Sequence, residues 1–283
     1  MENQKDLYWK ALCCPLCGSD VALDDTRGAG VLLCRGPRTH TFDRARSGYV
    51  PLAPRHNGGG DAKEAVRSRT AFLSAGYYGA AADELCRLVK THVKGGLILD
   101  AGCGEGYYTN HLAGALDEQY QVCGFDLSRD AVDAAAKSAR RLASGAQFGV
   151  ASLFELPVKD GSVAAVLNIF APCAEREFCR VLEHEGVLIL LGAGERHLLG
   201  LKRALYQETY ENAVRADLPE DMVLCDHVTV RDEIVVEGRE QILNLFSMTP
   251  YYWRTSPADR SKLDRLEQLS TEIEFDCRVY RKK

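Results

Sequence analysis

The stretch GLILDAGCGEGYYTNHLAGAL constrains this chain more than any other. An apolar run from Leu97 to Asp100 reads as a short buried strand, and Leu112 and Leu116 recur at helical spacing in a segment that starts near Tyr107. Strand, glycine turn and helix in that order make the first βα unit of a doubly wound, mostly parallel sheet. The turn glycines are Gly102, Gly104 and Gly106, whereas a dinucleotide fingerprint needs its third glycine where Tyr107 stands. Pyrophosphate is therefore disfavoured. Asp100 closes the first strand, and a carboxylate there repels phosphate but suits an ammonium group. About 20 residues beyond the turn, QVCGFDLS ends a second strand in Asp126, placed to accept bonds from both hydroxyls of a ribose. Asp100, Gly102, Gly104 and Asp126 together describe a site for S-adenosylmethionine.

The alternation continues through helix SRDAVDAAAKSARRL, strand AQFGVA, loop SLFELPVKDGS, strand VAAVLNIFAP, helix AEREFCRVL and strand GVLILLGAG. Repeated units at this spacing imply an α/β protein with helices on both faces of the sheet and its ligands at the carboxyl ends of the strands. That edge carries Asp100, Asp126, Ser152 and Asn168. Beyond Glu195 the pattern loosens, with a strand-like HVTVRDEIVVEG and a final aromatic helix and strand.

With 283 residues, 46% of them hydrophobic, the chain can bury one large core and carry a small satellite module. Apolar runs such as Val187 to Leu191 fall far below the roughly 20 residues that span a bilayer, and ENQKD after Met1 is no leader. Eleven cysteines without a leader suit a reducing compartment. The expectation is a cytoplasmic protein with no membrane partner.

The satellite is the N-terminal segment. Cys14 and Cys17 form a CPLC turn whose two sulfurs converge on one point, and a short hairpin through VALDD, RGAG and VLLC returns Cys34 and His40. The quartet predicts one structural zinc ion in a zinc-ribbon-like fold, with Cys13 out of step and pointing away. Four protein ligands leave no open position, so the metal supplies folding energy rather than chemistry. The domain organisation expected is a zinc-binding module over 1–57, a linker and helices over 58–95 that open on GGGDAKEAVRSR, and a catalytic domain over 96–283.

Charge separates the modules further. From Arg27 to Arg69 nine basic residues face three acidic ones, a local +6 in a chain of net charge -5, which leaves -11 elsewhere. A basic face on an acidic protein points to a polyanionic partner, and a merely solvated face is the alternative.

CPLC, HTFDRARSGYVPL, RTAFLSAGYY, LDAGCGEGYYT, GFDLS, NIFAPC, ERHLLGLK and MTPYYWR, in this order, resemble the 23S rRNA guanine-N1 methyltransferases of the RlmA type, including the tylosin-resistance branch. The likeness spans nearly the whole chain. It implies a class I S-adenosylmethionine-dependent methyltransferase with a zinc-binding N-terminal domain, a guanine in a large-subunit rRNA hairpin as acceptor, and a bearing on macrolide resistance. By motif, cofactor contacts carry over to Tyr78, Gly104, Glu105 and His197, and the zinc ligands to Cys14, Cys17, Cys34 and His40. RGPRT makes the gap between Cys34 and His40 longer than the family pattern. Read without the resemblance, Tyr78 is an aromatic that packs on the sheet and His197 a capping or surface histidine.

Guanine N1 lies on the pairing edge, so the base must be unpaired or flipped out, and a hairpin loop makes that cheap. NIFAPC, at the end of the fourth strand, is the expected acceptor side. Asn168 offers an amide to a base edge, Phe170 a ring to stack on it, and Pro172 a fixed loop, while core packing of Phe170 is the alternative. Arg35, Arg38, Arg44 and Arg46 are expected to grip RNA phosphates, and a homodimer could pair two such faces. A small-molecule methyltransferase with a structural zinc, and a noncatalytic zinc and RNA-binding protein on the same scaffold, are the competing readings.

Overall fold

The computed structural model describes residues 6–26, 28, 30–54, 62–214 and 221–283, so Arg27, Arg55, Asp61, the glycine run of the linker and most of ADLPEDM lie outside the described residues. The chain begins with α1 (Leu7–Ala11) and strands β1 (Val21–Asp24), β2 (Val31–Cys34), β3 (Thr41–Asp43) and β4 (Val50–Pro51). Helices α2 (Lys63–Ser74) and α3 (Gly79–His92) lead into the alternating region. There β5 (Gly96–Ala101), α4 (Tyr107–Ala115), β6 (Tyr120–Asp126), α5 (Arg129–Leu142), β7 (Gln147–Val150), β8 (Val163–Ile169), α6 (Glu175–Val181) and β9 (Leu182–Ala193) follow one another. The chain closes with α7 (Leu199–Leu205), β10 (Met222–Glu237), α8 (Arg239–Ser247), a 3-10 turn over Pro250–Trp253, α9 (Pro257–Leu263) and β11 (Gln268–Lys282).

Eight strands form one sheet in the order β10-β11-β9-β8-β5-β6-β7-β4, and β1-β2-β3 form a separate antiparallel sheet. The six strands from β9 to β4 run parallel, and β11 lies antiparallel to both β9 and β10. The expected α/β class with a mostly parallel sheet is what the chain adopts. Outward from β5 the chain builds β6 and β7 on one side, then crosses to β8 and β9 on the other. That reversal opens a crevice at the carboxyl ends of β5 and β8, where doubly wound sheets bind their ligands.

β8 is buried along its whole length because VAAVLNI is flanked by β5 and β9 and covered on both faces. The strand expected through Pro172 stops at Ile169. Phe170 takes φ +51, outside the strand region, and turns the chain over the sheet edge.

The N-terminal segment is joined to the large sheet. Val50 and Pro51 pair with Gly149 and Val150 as its eighth strand. Tyr8, Leu12, Cys14, Leu32, Cys34 and Phe42 share one apolar cluster with Leu97, Leu99 and Phe125. Among the described residues no helix is long and apolar enough to cross a membrane.

Candidate functional site

Beyond Ala101 the chain reverses through Gly102, Gly104 and Gly106 at φ +92, +53 and +73, a region where a Cβ is penalised. Two of these glycines also permit close approach. A Cβ at Gly102 would lie 2.6 Å from the Cβ of Ala171, and one at Gly106 would lie 2.7 Å from the Cβ of Ala135. The turn therefore packs directly on the loop after β8 and on α5. Gly102 N and Cys103 N donate to the carbonyl of Phe125. Gly104 N donates to Asp126 Oδ2 at 3.1 Å, and Ser128 N to Asp126 Oδ1 at 2.8 Å. These backbone bonds fix the Asp126 carboxylate in place, and each carboxylate oxygen can accept more than one bond, including one from a ribose hydroxyl.

Asp100 is 1% exposed, and its Oδ2 accepts a 2.6 Å bond from Thr109 Oγ1 in the first turns of α4. Its Oδ1 is buried with no hydrogen-bond partner among the described residues. Burial pushes this carboxyl up to about 7, the Thr109 bond pulls it down, and the charges of Asp126 and Glu105 push it further up. A buried carboxylate oxygen without a donor is rare and marks a place for a cation. The donor set fits S-adenosylmethionine: Asp100 would hold the ammonium, Asp126 the ribose, and the side-chain-free turn would lie against the body of the molecule.

Glu105 is buried against Arg69 of α2, with Nε 2.5 Å from Oε2. Burial raises its pKa and the Arg69 charge opposes that rise. The same guanidinium lies 2.9 Å from where a Cβ of Gly104 would sit. Arg69, counted with the basic RNA-facing stretch, thus faces the glycine turn. Charge counting could not show this, because the partner lies 36 residues away in sequence.

The acceptor-side residues gather at the end of β8. The Asn168 amide turns inward, its Nδ2 donating to the carbonyls of Ala101 and Pro172 at 3.1 Å each. Asn168 is 3% exposed and ties the β8 loop to the end of β5, so its donor side is spent on positioning rather than offered to a base. Pro172 is exposed and anchors that loop through its carbonyl. Phe170 is 50% exposed, its ring 5.8 Å from His197 and 6.1 Å from Phe275.

Tyr78 and His197 form a buried pair, Oη to Nε2, at 3.2 Å. Glu274 N donates to His197 Nδ1, which fixes the neutral ring's proton on Nε2 and makes it the donor to Tyr78. Burial lowers the histidine to about 4, so the imidazole is neutral. With one nitrogen accepting from Glu274 N and the other protonated toward Tyr78, both ring nitrogens are engaged within the protein. Tyr78 lies edge-on against Phe275 and His197, which satisfies its packing reading, and its hydroxyl is bonded to His197 Nε2.

In the N-terminal module, one ligand atom from each of Cys14, Cys17, Cys34 and His40 falls within 4.8 Å of the others. Cys14 Sγ to His40 Nδ1 is 3.4 Å, Cys17 Sγ to Cys34 Sγ 3.4 Å, and Cys17 Sγ to His40 Nδ1 3.6 Å. A zinc tetrahedron with bonds of about 2.3 Å has sulfur edges of about 3.8 Å, so the four atoms fit one ion. Cys34 N donates to His40 O, which closes RGPRT into a loop and absorbs its extra length. Cys13 lies outside the cluster, its backbone bonded to Pro157.

Residues 98–186 match the model of the Methyltransferase domain family. A Micromonospora griseorubida protein named as a 23S rRNA (guanine-N(1)-)-methyltransferase is 32% identical over 274 residues, covering 87% of this chain and 88% of its own. The Bacillus subtilis relative YxjB, similarly named, is 30% identical over 94% of both chains. The chain belongs to the 23S rRNA (guanine-N1)-methyltransferase family. A further member, the 23S rRNA (guanine(748)-N(1))-methyltransferase of Streptomyces fradiae, is 33% identical over 201 residues, covering 69% of this chain and 67% of its own. The family's methyltransferase core coincides with the β5 to β9 region, and the zinc-compatible cluster lies outside that match. Sequence reasoning missed Arg69, Thr109, Glu274 and Phe275. Of these only Thr109 carried a signal, a hydroxyl placed shortly after the glycine turn.

Proposed function

We propose that this protein transfers a methyl group from S-adenosylmethionine to N1 of a guanine in a hairpin loop of 23S rRNA. The observation that carries the reading is the exposed ring of Phe170, held over the sheet edge by a loop that touches the glycine turn at Gly102 and Ala171. An aromatic face beside a cofactor turn offers a stacking surface for a base extruded from a loop.

S-adenosylmethionine, when bound, supplies an electrophilic methyl group on a sulfonium. That methyl would pass to guanine N1 as its bond to sulfur breaks, with the N1 proton released to solvent, and the residues of this chain would align the acceptor for it. Asp100 and Asp126 bind and orient, Asn168 holds the acceptor loop against β5, and Phe170 places the base. Catalysis is mostly alignment, which such a rigid edge provides. In this reading 1–57 selects the RNA through its basic surface, 58–95 connects, and 96–283 carries the chemistry. A homodimer pairing two basic faces belongs to the same proposal, as does a cytoplasmic location beside the ribosome.

Purified protein incubated with S-adenosylmethionine and unmodified large-subunit rRNA, followed by nuclease digestion and mass spectrometry, tests this. N1-methylguanosine at one loop position is expected. No transfer by protein that binds S-adenosylhomocysteine would leave a small-molecule acceptor as the better reading.

A further inference from the structure

Four Phe, Tyr or Trp side chains are exposed among the described residues: Phe154, Phe170, Tyr210 and Trp253, at 65%, 50%, 61% and 82%. A single exposed ring is ordinary on a protein surface. These four are not scattered, because each sits on a segment tied to the carboxyl edge of the parallel strands. Phe154 lies in the loop after β7, where its neighbour Leu153 comes within 3.4 Å of the position a Cβ of Gly102 would take. Phe170 follows β8. Tyr210 and Trp253 reach the edge through Asn212. Its Nδ2 donates to the carbonyls of Gly194 and His197, just beyond β9, at 2.9 and 3.0 Å, and its Oδ1 accepts from Tyr251 Oη at 3.2 Å.

Lys202 locks the same junction. It is 1% exposed, its Nζ donates to Asn212 Oδ1 and to the carbonyl of Tyr210 at 2.7 Å each, and it lies 4.5 Å from the Tyr210 ring centroid. Trp253 closes the 3-10 turn, its ring at 89° to Tyr252 with centroids 5.0 Å apart, and Arg260 lies 5.1 Å from the Tyr252 centroid on the way to α9. The indole is thus positioned by its neighbours while most of its surface stays in water. A ring held in place yet left unburied forgoes its own hydrophobic stabilisation and keeps a face for a partner.

We propose that Trp253 stacks on a nucleobase that flanks the target guanine in the rRNA loop, so that Phe170 and Trp253 grip two bases of one strand. This rests on the rRNA reading above. Charge selects a base rather than a phosphate as what this rim takes. Exposed Arg196 and Arg254 stand with exposed Glu195 and Glu211, which leaves no strong field for the backbone. A π face binds any base without such a field, and the neighbours of an unpaired loop guanine are themselves open to stacking.

The test uses the full chain and a hairpin transcript carrying the methylated guanine, with 2-aminopurine placed at the nucleotide on one side of it or the other. Binding of the wild type should quench the probe on one side. Trp253→Ala should lose that quenching and weaken hairpin binding by at least about fivefold, raising KM with kcat unchanged, because a flanking stack is the same before and during transfer. Trp253→Phe should restore most of the affinity. The salt slope, the affinity for S-adenosylhomocysteine and the melting temperature should stay where they are, since the ring is neutral and 82% exposed. Undiminished quenching and KM in Trp253→Ala would overturn the proposal. So would a loss of RNA binding that follows loss of a dimer in light scattering, which would assign the ring to a second copy of the chain. A wild type that neither binds nor methylates the hairpin would overturn the rRNA reading and this inference with it.

Discussion

Thr109 Oγ1 donates to Asp100 Oδ2 over 2.6 Å, and the second oxygen of that carboxylate is left buried without a donor among the described residues. The sign of a pH effect follows. Burial raises Asp100 to about 7, so the free protein still holds a proton there near neutrality. An ammonium ligand needs the ionised form. Affinity for S-adenosylhomocysteine should rise from about pH 6 to about pH 8 and level off above, because ligand binding must expel that proton. Titration calorimetry across this range checks it. Asp100→Asn should bind weakly with a flat profile, and a wild type that is itself flat would remove Asp100 from the ammonium site.

The glycine turn and its flanking elements were legible because period and composition changed sharply there. The same holds for β6, α5 and β8, where apolar runs and one amphipathic helix alternate. What escaped the sequence was pairing over distance. β4 has two residues, too few for any periodicity, yet it ties the N-terminal module to β7. Arg69 and Arg35 look alike in a charge count, but one finds Glu105 and the other faces solvent. Phe170 continues an apolar run, and only its positive φ ends the strand before it.

Metal removal should unfold more than the module that binds the metal. Cys14 and Cys34 belong to the apolar cluster that includes Phe125 of β6, so loosening the knot exposes part of the main core. A chelator, or Cys34→Ser, is expected to cost at least ~3 kcal/mol and to lower the melting of the whole chain in one transition. Calorimetric scanning beside a zinc assay reads it. A separate early transition with the main one unmoved would show two independent folding units.

The arginines of the N-terminal module divide in two. Arg44 Nε donates to Gly48 O at 2.7 Å and its guanidinium lies 5.5 Å from the Trp9 ring centroid, so Arg44 holds the turn in place. Arg35, Arg38 and Arg46 are exposed. Replacing these three with alanine should weaken rRNA binding and reduce the salt slope by about 0.9 for each phosphate no longer neutralised, with S-adenosylhomocysteine affinity intact. Arg44→Ala should instead cost about 1 kcal/mol of stability. Filter binding at several salt concentrations and urea denaturation separate the two effects. An unchanged salt slope in the triple variant would sink the phosphate role.

Phe170 sets ring placement against backbone strain, and two substitutions separate them. Its φ of +51 is unfavourable for a residue with a bulky side chain and costs nothing for glycine. Phe170→Gly relieves that strain but gives up the ring's contacts with His197 and Phe275 and adds unfolded-chain entropy, so stability should change by no more than ~1 kcal/mol while the surface on which a base would stack is removed. Stacking is worth about 1–3 kcal/mol per base, so kcat/KM for rRNA should fall by roughly 5- to 150-fold. Phe170→Tyr keeps the ring and the strain, and should retain most of the activity. Affinity for S-adenosylhomocysteine should stay the same in both, since the Phe170 ring packs with His197 and Phe275 and not with Asp100 or Asp126. A glycine variant that is stably folded and fully active would show that the strained ring has no part in placing the base.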